Sequence, residues 1–397
     1  MIPSGSPASR KILLYCPFCK GGLADYAHLQ ANALIDQGVQ VEMLGSPLYP
    51  QRKDRRYQLR AELLEPEFTH LKKGVFKSSL YFFRHLFNFY LLQKIVRKEK
   101  WSQVLLISYF EYLAPFWVPL LRNLSEKGVV FGAMVHEPIR DFVVGPQWWH
   151  RYCIRTAYSF IREAFEHENI SLDTGGALPQ SRVTLIPQGT FELMLPKRSA
   201  EQVRESFAIP EEGKLLLAFG HLRNNKNLSL LIRALKKFPK LYLLIAGNSQ
   251  SSRDHGAEYY QEIALQEGVS PQCRWDIRHV PMEIASDYFA ACDLVLLPYN
   301  ASFLSASGVL SAAVGFRKPT LVSAGEGCLK EILRDYEIGY WVEPDDLEAL
   351  EAGLEKWLLN PRELNWDPYL QENSWEKNAA IVAEKMFEPR KSSWNHG

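Results

Sequence analysis

Apolar, β-rich runs alternate with helical patterns along almost the whole chain, and this alternation limits the fold more than any other feature of the sequence. The β-rich runs lie at 12–16, 40–44, 103–108, 129–135, 214–219, 241–246, 293–297 and 319–322. The helical patterns lie near 23–37, 76–99, 148–165, 226–238, 256–267, 281–291, 307–316 and 346–358. Continuous apolar strands separated by helices are typical of parallel sheets covered on both faces. The sequence therefore predicts an α/β protein.

The strands fall into two sets with a polar stretch, PKRSAEQVRESFAIPEEG, between them. A chain of 397 residues is also longer than one typical compact domain. We therefore expect two Rossmann-like domains, over 1–195 and 213–365, with a linker over 196–212 and a C-terminal segment over 366–397. Ligands bind beyond the carboxyl ends of the strands in such sheets, so we expect one site in a cleft between the domains.

The overall composition argues against several classes of protein. The chain has 46 Lys and Arg residues and 45 Asp and Glu residues, so no excess charge indicates nucleic-acid binding. No apolar run reaches the roughly 18 residues of a membrane-spanning helix, and the start, MIPSGSPASRK, lacks the apolar core of a secretory signal. The six cysteines lie far apart in apolar surroundings, as in reduced proteins. We therefore expect a cytoplasmic protein.

Two cysteines and two glycines follow the first strand pattern. Cys16 and Cys19 form the sequence CPFC, which looks like a glutaredoxin redox pair. A redox cysteine is activated at the start of a helix, where its pKa is lowered. Here the helical pattern begins only near Leu23, after Gly21 and Gly22, so we predict buried cysteines without a redox role. The glycines predict a loop whose backbone N–H groups are open to a ligand.

A basic pair in the second half predicts a site for a diphosphate. Arg223 and Lys226 lie in AFGHLRNNKNLSLLIRAL, in the loop between a strand and a helix. Two cations beside a helix N-terminus suit a diphosphate. A solvated basic loop is the alternative interpretation, and charge alone does not separate the two.

A second helix start in the same half predicts another anion-binding element. A Ser-rich loop that includes Ser305 leads to Ser307, the predicted N-cap of a helix. The free N–H groups of Gly308 and Val309 would then face the site. Ordinary capping is compatible with this role. The two elements together could neutralise a pyrophosphate without a metal ion. No closely spaced set of His, Cys and carboxylate residues predicts a metal site, and we expect no cofactor.

The order of the motifs resembles the GT-B glycosyltransferases, most closely the retaining glycosyltransferase family 4 (group 1) type. The resemblance is carried by KGGLADYAHLQANALIDQGVQVEML, GAMVHEP, FGHLRNNKNLSLLIRAL, ACDLVLLPY with SASGVLSAAVGFRKPTLVS, GCLKEIL with GYWVEPDDLEALEAGL, and NSWEKNAAIVAEKMF. It spans nearly the whole chain. It implies two Rossmann-like domains facing a cleft, with a last helix that crosses back onto the first domain.

The resemblance also implies roles for individual residues. The donor-binding residues it implies are Gly21, Gly22, Arg223, Lys226, Ser305, Ser307, Gly308 and Val309. His136, at the end of GVVFGAMVH, would contact the donor sugar and hold the reacting centre. Many members carry two Glu residues separated by seven residues near the donor helix, whereas the matching positions here are Leu304 and Ala312. Glu331 is the nearest replacement for the ribose contact.

Residues after His136 are candidates for the acceptor. Arg140 and Asp141 could bind an acceptor or cap the next turn. Trp148 and Trp149 could form a wall on which a sugar stacks, and an aromatic helix that packs on the core is the alternative. We expect the acceptor, a glycan or a lipid-linked molecule, to enter near Gly21 and Gly22.

The segment 71–101 is basic at both ends and aromatic between them, and it has two interpretations. A peripheral contact with an anionic membrane, at its inner face, is one. Core packing is the other, with a buried face formed by Leu80, Phe83, Phe87, Tyr90, Leu91 and Lys94. A basic cluster precedes the segment, at Arg52, Lys53, Arg55 and Arg56, and its exposure would favour the membrane.

These observations predict a hexosyltransferase of polysaccharide biosynthesis that uses a nucleoside diphosphate sugar, is retaining by resemblance, and needs no metal. Two alternatives stay open. A nucleotide-sugar 2-epimerase of similar fold would need several carboxylates in the cleft, where Glu111, Glu137 and Asp141 are the candidates. A non-catalytic partner of another glycosyltransferase would fit the missing Glu pair.

Overall fold

The chain forms two compact units in the computed structural model, which describes residues 10–64, 75–108, 111–136, 145–167, 171–189, 195–249, 254–305 and 307–389. The first unit comprises Met1–Gln188 and Ser374–Gly397, and the second comprises Gly189–Asn373. The chain therefore passes from one unit to the other twice.

The first unit is built on a sheet of seven described strands in the order β3-β2-β1-β4-β5-β6-β7, and every neighbouring pair is parallel. The strands are β1 Lys11–Tyr15, β2 Gln40–Gly45, β3 Gln58–Ala61, β4 Gln103–Leu106, β5 Val130–Val135, β6 Glu163–Glu166 and β7 Val183–Leu185. Its helices are α1 Gly22–Asp36, α2 Val75–Glu99, α3 Ala114–Glu126, α4 Gln147–Tyr158 and, at the chain end, α13 Trp375–Phe387.

Each face of this sheet carries its own core. Leu13 and Tyr15 belong to one core, whereas Ile12 and Leu14 belong to the other, since successive side chains of a strand point to opposite faces. The helices α2, α3 and α4 cover the first face, and α1 and α13 cover the second. This arrangement confirms the predicted parallel sheet covered on both faces.

The second unit repeats the plan with six described strands in the order β10-β9-β8-β11-β12-β13, again all parallel. The strands are β8 Lys214–Phe219, β9 Leu241–Ala246, β10 Cys273–Asp276, β11 Leu294–Pro298, β12 Thr320–Ser323 and β13 Gly339–Trp341. Its helices are α5 Ala200–Ser206, α6 Leu228–Ala234, α7 Ala257–Gln266, α8 Met282–Ala291, α9 Gly308–Gly315, α10 Cys328–Tyr336, α11 Leu347–Leu359 and α12 Asp367–Glu372. Both strand orders are those of doubly wound sheets.

One predicted helix is wrong in its second half. The helical pattern near 148–165 ends as α4 at Tyr158, and Glu163–Glu166 is the buried strand β6 between β5 and β7. The acidic residue Glu163 hid the strand because charged residues are rarely buried unless they are paired. In the fold, Glu163 accepts a hydrogen bond from Thr184 and lies 3.7 Å from Arg182.

The buried face proposed for the long helix α2 is also wrong. Phe83, Phe87, Tyr90 and Lys94 are exposed, whereas the buried face includes Phe89, which stacks on Trp117 at 3.9 Å between ring centroids. The helix is rich in apolar residues on several sides, so its periodicity alone did not select the face that packs.

The unit boundaries differ from the predicted domain boundaries at two places. The stretch 196–212, predicted as a linker, lies in the second unit and contains α5, whose capping box joins Ser199 and Gln202 and whose Val203 is fully buried. The C-terminal segment, predicted from 366, joins the first unit only from Ser374. Here α12 stays with the second unit because Tyr369 is buried in its core.

Candidate functional site

Two predicted elements of the second unit converge on Gly220, directly after β8. A methyl group on Gly220 would lie 3.1 Å from Nζ of Lys226 and 3.8 Å from Cγ2 of Val309. Gly220 has a φ of 93°, and the neighbouring Gly247 approaches so closely that a side chain there would overlap the Gly220 carbonyl. The basic loop and the first turn of α9 therefore meet at the carboxyl ends of the adjacent strands β8 and β11.

Lys226 is held in this position by the backbone. Its Nζ donates a hydrogen bond of 2.7 Å to the carbonyl oxygen of Phe219. Burial, with a smaller contribution from the positive charge of Arg223, lowers the pKa of Lys226 to about 7. Arg223 itself is exposed. A cation whose pKa is lowered in this way gains its full charge when an anion binds beside it.

The loop of Arg223 and Lys226 is bonded directly to the loop after β11. The N–H of Asn300 donates to the carbonyl of Asn225 at 2.9 Å. The carboxylate of Asp345 accepts from the side chain of Asn227 and from the N–H of Ala301, both at 2.9 Å. These bonds fix the position of the loop of Arg223 and Lys226 relative to the loop that leads into α9. Asp345 and Asn225 were not among the sequence candidates, since only the fold brings them together.

The start of α9 is ordered by two hydroxyl groups. The Oγ of Ser307 accepts a hydrogen bond of 3.4 Å from the N–H of Leu310, as the N-cap prediction required. Tyr299 OH and Ser307 Oγ lie 3.0 Å apart, and the Tyr299 ring stacks on Phe303 at 3.8 Å. A small pocket at this point is lined by residues that include Gly220, Lys226, Tyr299 and Val309.

Other sequence candidates of this unit lie around the pocket or away from it. Ser305 and Gly308 are half-buried in the loop and first turn that lead into α9. Ala312, at one position of the missing Glu pair, is buried in the core. Glu331 is exposed in the first turn of α10, and its N–H donates to the carbonyl of Gly327.

In the first unit, His136 follows β5 at the carboxyl edge of the sheet. Its Nε2 lies 3.0 Å from the carbonyl oxygen of Ile107, which makes Nε2 the protonated nitrogen and leaves Nδ1 as an acceptor. The ring meets Tyr26 of α1 edge-on at 4.7 Å and lies 5.8 Å from the ring of His167, between centroids. The sequence analysis missed His167, which follows β6.

Both histidines are uncharged at neutral pH. Burial lowers the pKa of His136 to about 4, against the opposing effect of its bond to Ile107. Burial, and then the neighbouring His136, lowers the pKa of His167 to about 3. His136 therefore serves as a neutral hydrogen-bonding group and not as a cation.

Tyr26 connects this edge to the last helix. Its hydroxyl donates to Gln30 at 3.1 Å and accepts from Asn378 of α13 at 3.4 Å. Asn378 also donates to the carbonyl of Pro187 at 2.6 Å, just before the chain leaves the first unit. The surroundings of His136 thus depend on α13.

The two glycines and two cysteines lie at the same edge. Gly21, with a φ of 75°, precedes α1, and a methyl group added to Gly21 or Gly22 would touch nothing within 4 Å. Cys16 and Cys19 are buried and form no disulfide, and burial raises the pKa of Cys16 to about 12. These positions agree with an open glycine loop and with cysteines that have no redox role.

The acceptor candidates fall in two groups. Arg140 and Asp141 lie outside the described residues. Trp148 and Trp149 lie on α4, where Trp148 is exposed and Trp149 is half-buried beside Phe116. Glu111, a carboxylate considered for the epimerase alternative, accepts a hydrogen bond of 2.7 Å from Tyr158. Among the described residues, no group of three or more His, Cys, Asp and Glu side chains could hold a metal ion.

Solved structures share the fold of the whole chain. An Anabaena protein, Alr3699/HepE, solved in complex with UDP and glucose, has a TM-score of 0.63 at 14% identity and covers 95% of each chain. The catalytic domain of starch synthase IV from Arabidopsis thaliana, bound to ADP and acarbose, has a TM-score of 0.66 at 12% identity, covering 96% of this chain and 99% of that one. These likenesses show the GT-B fold.

The family model described as "Glycosyl transferases group 1" matches residues 199–379. This range, slightly less than half of the chain, is similar to the group 1 glycosyltransferases. The matched range includes the loop of Arg223 and Lys226, the start of α9, and α10 to α12, so the resemblance noted from the sequence is confirmed.

The curated relatives are distant in sequence. A D-inositol 3-phosphate glycosyltransferase of Corynebacterium aurimucosum is 26% identical over 240 residues, which cover 57% of this chain and 54% of the relative. Another, from Corynebacterium diphtheriae, is 29% identical over 191 residues, covering 45% and 44%. The chain thus spans about half the length of the curated relatives it matches.

Proposed function

We propose that the protein transfers a hexosyl group from a nucleoside diphosphate sugar to a hydroxyl group of a glycan or a lipid-linked acceptor. The observation that carries the proposal is the convergence of Lys226 and the first turn of α9 on Gly220. This arrangement lies within the range that matches the group 1 family. It presents a cation and free helix N–H groups at one point, as a diphosphate requires.

In the proposed reaction, the bond between the anomeric carbon and the β-phosphate oxygen breaks, and its electron pair leaves with the diphosphate. The acceptor hydroxyl forms the new bond to the anomeric carbon and gives up its proton to the departing diphosphate. Lys226, Arg223 and the N–H groups of α9 stabilise the negative charge that develops on the leaving group. Retention of configuration is proposed from the family resemblance.

His136 is proposed to contact the donor sugar. It is neutral and its Nδ1 is an acceptor, so it can take a hydrogen bond from a sugar hydroxyl at any pH well above 4. The reaction as proposed needs no cofactor besides the donor. We place it in the cytoplasm because none of the six cysteines, all of them among the described residues, forms a disulfide, and five of them are buried.

Removing either cation is expected to weaken diphosphate binding. Arg223→Ala and Lys226→Ala should lower the affinity for a nucleoside diphosphate by roughly ten- to a hundredfold, because a hydrogen bond to a charged group contributes about 1.5–3 kcal/mol. Affinity for the free nucleoside should hardly change. A thermal-shift screen of nucleoside diphosphates identifies the base, and calorimetric titration then measures each variant.

The matched control for this experiment is Lys236→Ala. Lys236 is an exposed cation of the same unit, 3.5 Å from Glu267 and outside the pocket. Its variant should bind like the wild type. Wild-type affinity in both Arg223→Ala and Lys226→Ala would place the donor elsewhere and remove the main support for the proposal.

Diphosphate affinity is also expected to depend on pH through Lys226. Its pKa is lowered to about 7 in the free protein, and a bound diphosphate raises it. The affinity therefore has its maximum value below this pKa, where Lys226 is charged in the free protein. It falls, by up to about tenfold per pH unit, as the pH rises above this pKa. The binding is measured as a function of pH for the wild type and for Lys226→Arg, whose side chain stays charged. The ionisation of the diphosphate affects both proteins equally, so the difference between the two profiles reports Lys226 alone. Parallel pH profiles for the two proteins would show that Lys226 does not titrate in binding.

A further inference from the structure

Three consecutive helices of the first unit expose a set of large aromatic side chains. The exposed fractions are 63% for Phe83, 45% for Phe87 and 52% for Tyr90 on α2, 54% for Phe116 on α3, and 68% for Trp148 and 52% for Tyr152 on α4. We call these six residues the aromatic surface. Singly exposed apolar residues are ordinary in proteins, whereas a contiguous group indicates a binding surface.

Four of the six residues are joined through two half-buried rings, and Phe87 and Tyr90 continue from Phe83 along α2 at helical spacing. Phe82 lies 5.5 Å from Phe83 and 5.4 Å from Phe116, between ring centroids. Trp149 lies 6.1 Å from Phe116, and it also contacts both aromatic members on α4, at 5.9 and 6.0 Å. The rings therefore form a continuous path from α2 over α3 to α4.

Exposed cations accompany the rings. On α2 the exposed stripe continues from Tyr90 to Lys94 and Arg97, and α4 exposes Arg151 and Arg155. Among the residues that the structure describes, none of these four makes an ion pair, since no carboxylate lies within 4.0 Å of their charged groups.

Charge of the opposite sign is nearly missing from these helices. The sequences of α2, α3 and α4 contain eight Lys and Arg residues but only two acidic residues, Glu99 and Glu126, which end α2 and α3. The whole chain, by contrast, carries a net charge of only +1. The excess of positive charge is thus local to the helices that carry the aromatic surface.

We propose that the aromatic surface, with Lys94, Arg97, Arg151 and Arg155, binds the face of an anionic lipid bilayer. Trp, Tyr and Phe side chains suit the boundary between headgroups and acyl chains. A cation near an anionic bilayer contributes about 1 kcal/mol. Within the described residues, no helix has the length and hydropathy to cross a membrane, so the contact is peripheral.

The basic cluster that precedes α2 lies outside this surface. Arg52 is paired with Asp25, and Arg56 makes two hydrogen bonds of 2.6 Å to Asp36. The neighbouring carboxylates offset these positive charges, so Arg52 and Arg56 attract an anionic bilayer only weakly. The bilayer contact therefore depends on α2 and α4 and does not depend on Arg52 and Arg56.

The test is co-sedimentation of the full chain with vesicles of phosphatidylcholine, with and without phosphatidylglycerol. We expect binding to the anionic vesicles only, weakened by salt. The double variant Phe83→Ser, Phe87→Ser should bind at least about tenfold more weakly, because each phenylalanine loses apolar burial. Arg97→Glu should bind more weakly, and its binding should depend less steeply on salt, because the other three cations remain.

The matched control replaces exposed apolar residues of the second unit, Tyr259→Ser with Leu265→Ser, which are 46% and 66% exposed. This control should bind vesicles like the wild type. Equal binding by all variants, or no binding to anionic vesicles, would overturn the proposal. Loss of a dimer in the Phe83→Ser, Phe87→Ser variant, without vesicle binding in the wild type, would instead assign the surface to a second copy of the chain. The assay needs no transferase activity, so it is independent of the proposed function.

Discussion

Replacement of His136 by alanine is expected to lower the rate of sugar transfer by roughly 10²- to 10³-fold, the loss typical of one hydrogen-bonding group that acts on the reacting centre. Affinity for the nucleoside diphosphate should stay at the wild-type value, because the phosphates are proposed to bind at Lys226 and Arg223. The measurement pairs a transfer assay with calorimetric titration. The pattern is the opposite of that expected for Lys226→Ala.

The geometry gives this result a control. His167 lies beside His136 but follows a different strand, and both side chains are uncharged. If His136 were only a packing residue, His136→Ala and His167→Ala would lower the melting temperature by similar amounts. Each variant would then lose transfer rate only in proportion to its loss of folded protein. A full transfer rate in His136→Ala would remove His136 from the site.

The pH dependence of transfer should not contain the titration of His136. Its pKa is lowered to about 4, so its protonation state does not change near neutral pH. In the wild type, the transfer rate should therefore show no rise with pH through the ordinary pKa range of histidine. If such a rise were found and were absent from His136→Ala, His136 would titrate near neutral pH, which would contradict its lowered pKa.

Deletion of residues from 373 onward is expected to destabilise the first unit severely. The helix α13 buries Ala379, Val382, Ala383 and Met386 in the core that it shares with α1. Met386 lies against β5, where its Sδ would be only 2.5 Å from a methyl group on Gly132. Loss of one such large side chain costs about 2–5 kcal/mol, a large part of the stability of a typical domain.

Thermal and urea unfolding measures this effect. The chain that ends at residue 389 keeps α13 and is the control for the deletion. Met386→Ala should lower the free energy of unfolding by about 2–5 kcal/mol, whereas Glu384→Ala, exposed on the same helix, should change it little. A chain without α13 that kept the full melting temperature would show that the helix does not stabilise the first unit.

The sequence determined the plan of both sheets. Eight strands that it predicted occur within one or two residues of their predicted ends, and the parallel arrangement is confirmed. Buried parallel strands are continuous apolar runs, which are a local signal. The short strands β3, β7, β10 and β13 were missed, because charged, polar or glycine residues interrupt their apolar pattern, and β6 was predicted as part of a helix.

The candidate diphosphate elements were also found from the sequence, since loops after strands and the N-caps of helices have local signatures. Their role in donor binding stays a prediction, as do the roles of His136 and Glu331. The convergence of Lys226 and Val309 on Gly220 followed from strand order, which places the ends of β8 and β11 side by side.

Only the tertiary structure decided properties that depend on distant neighbours. It selected the buried face of α2, because Phe89 packs on Tyr15 and Trp117 from other elements. It lowered the pKa of Lys226 to about 7, and it placed His167 beside His136. Periodicity records which residues share a face, whereas burial and pKa depend on what the fold brings against that face.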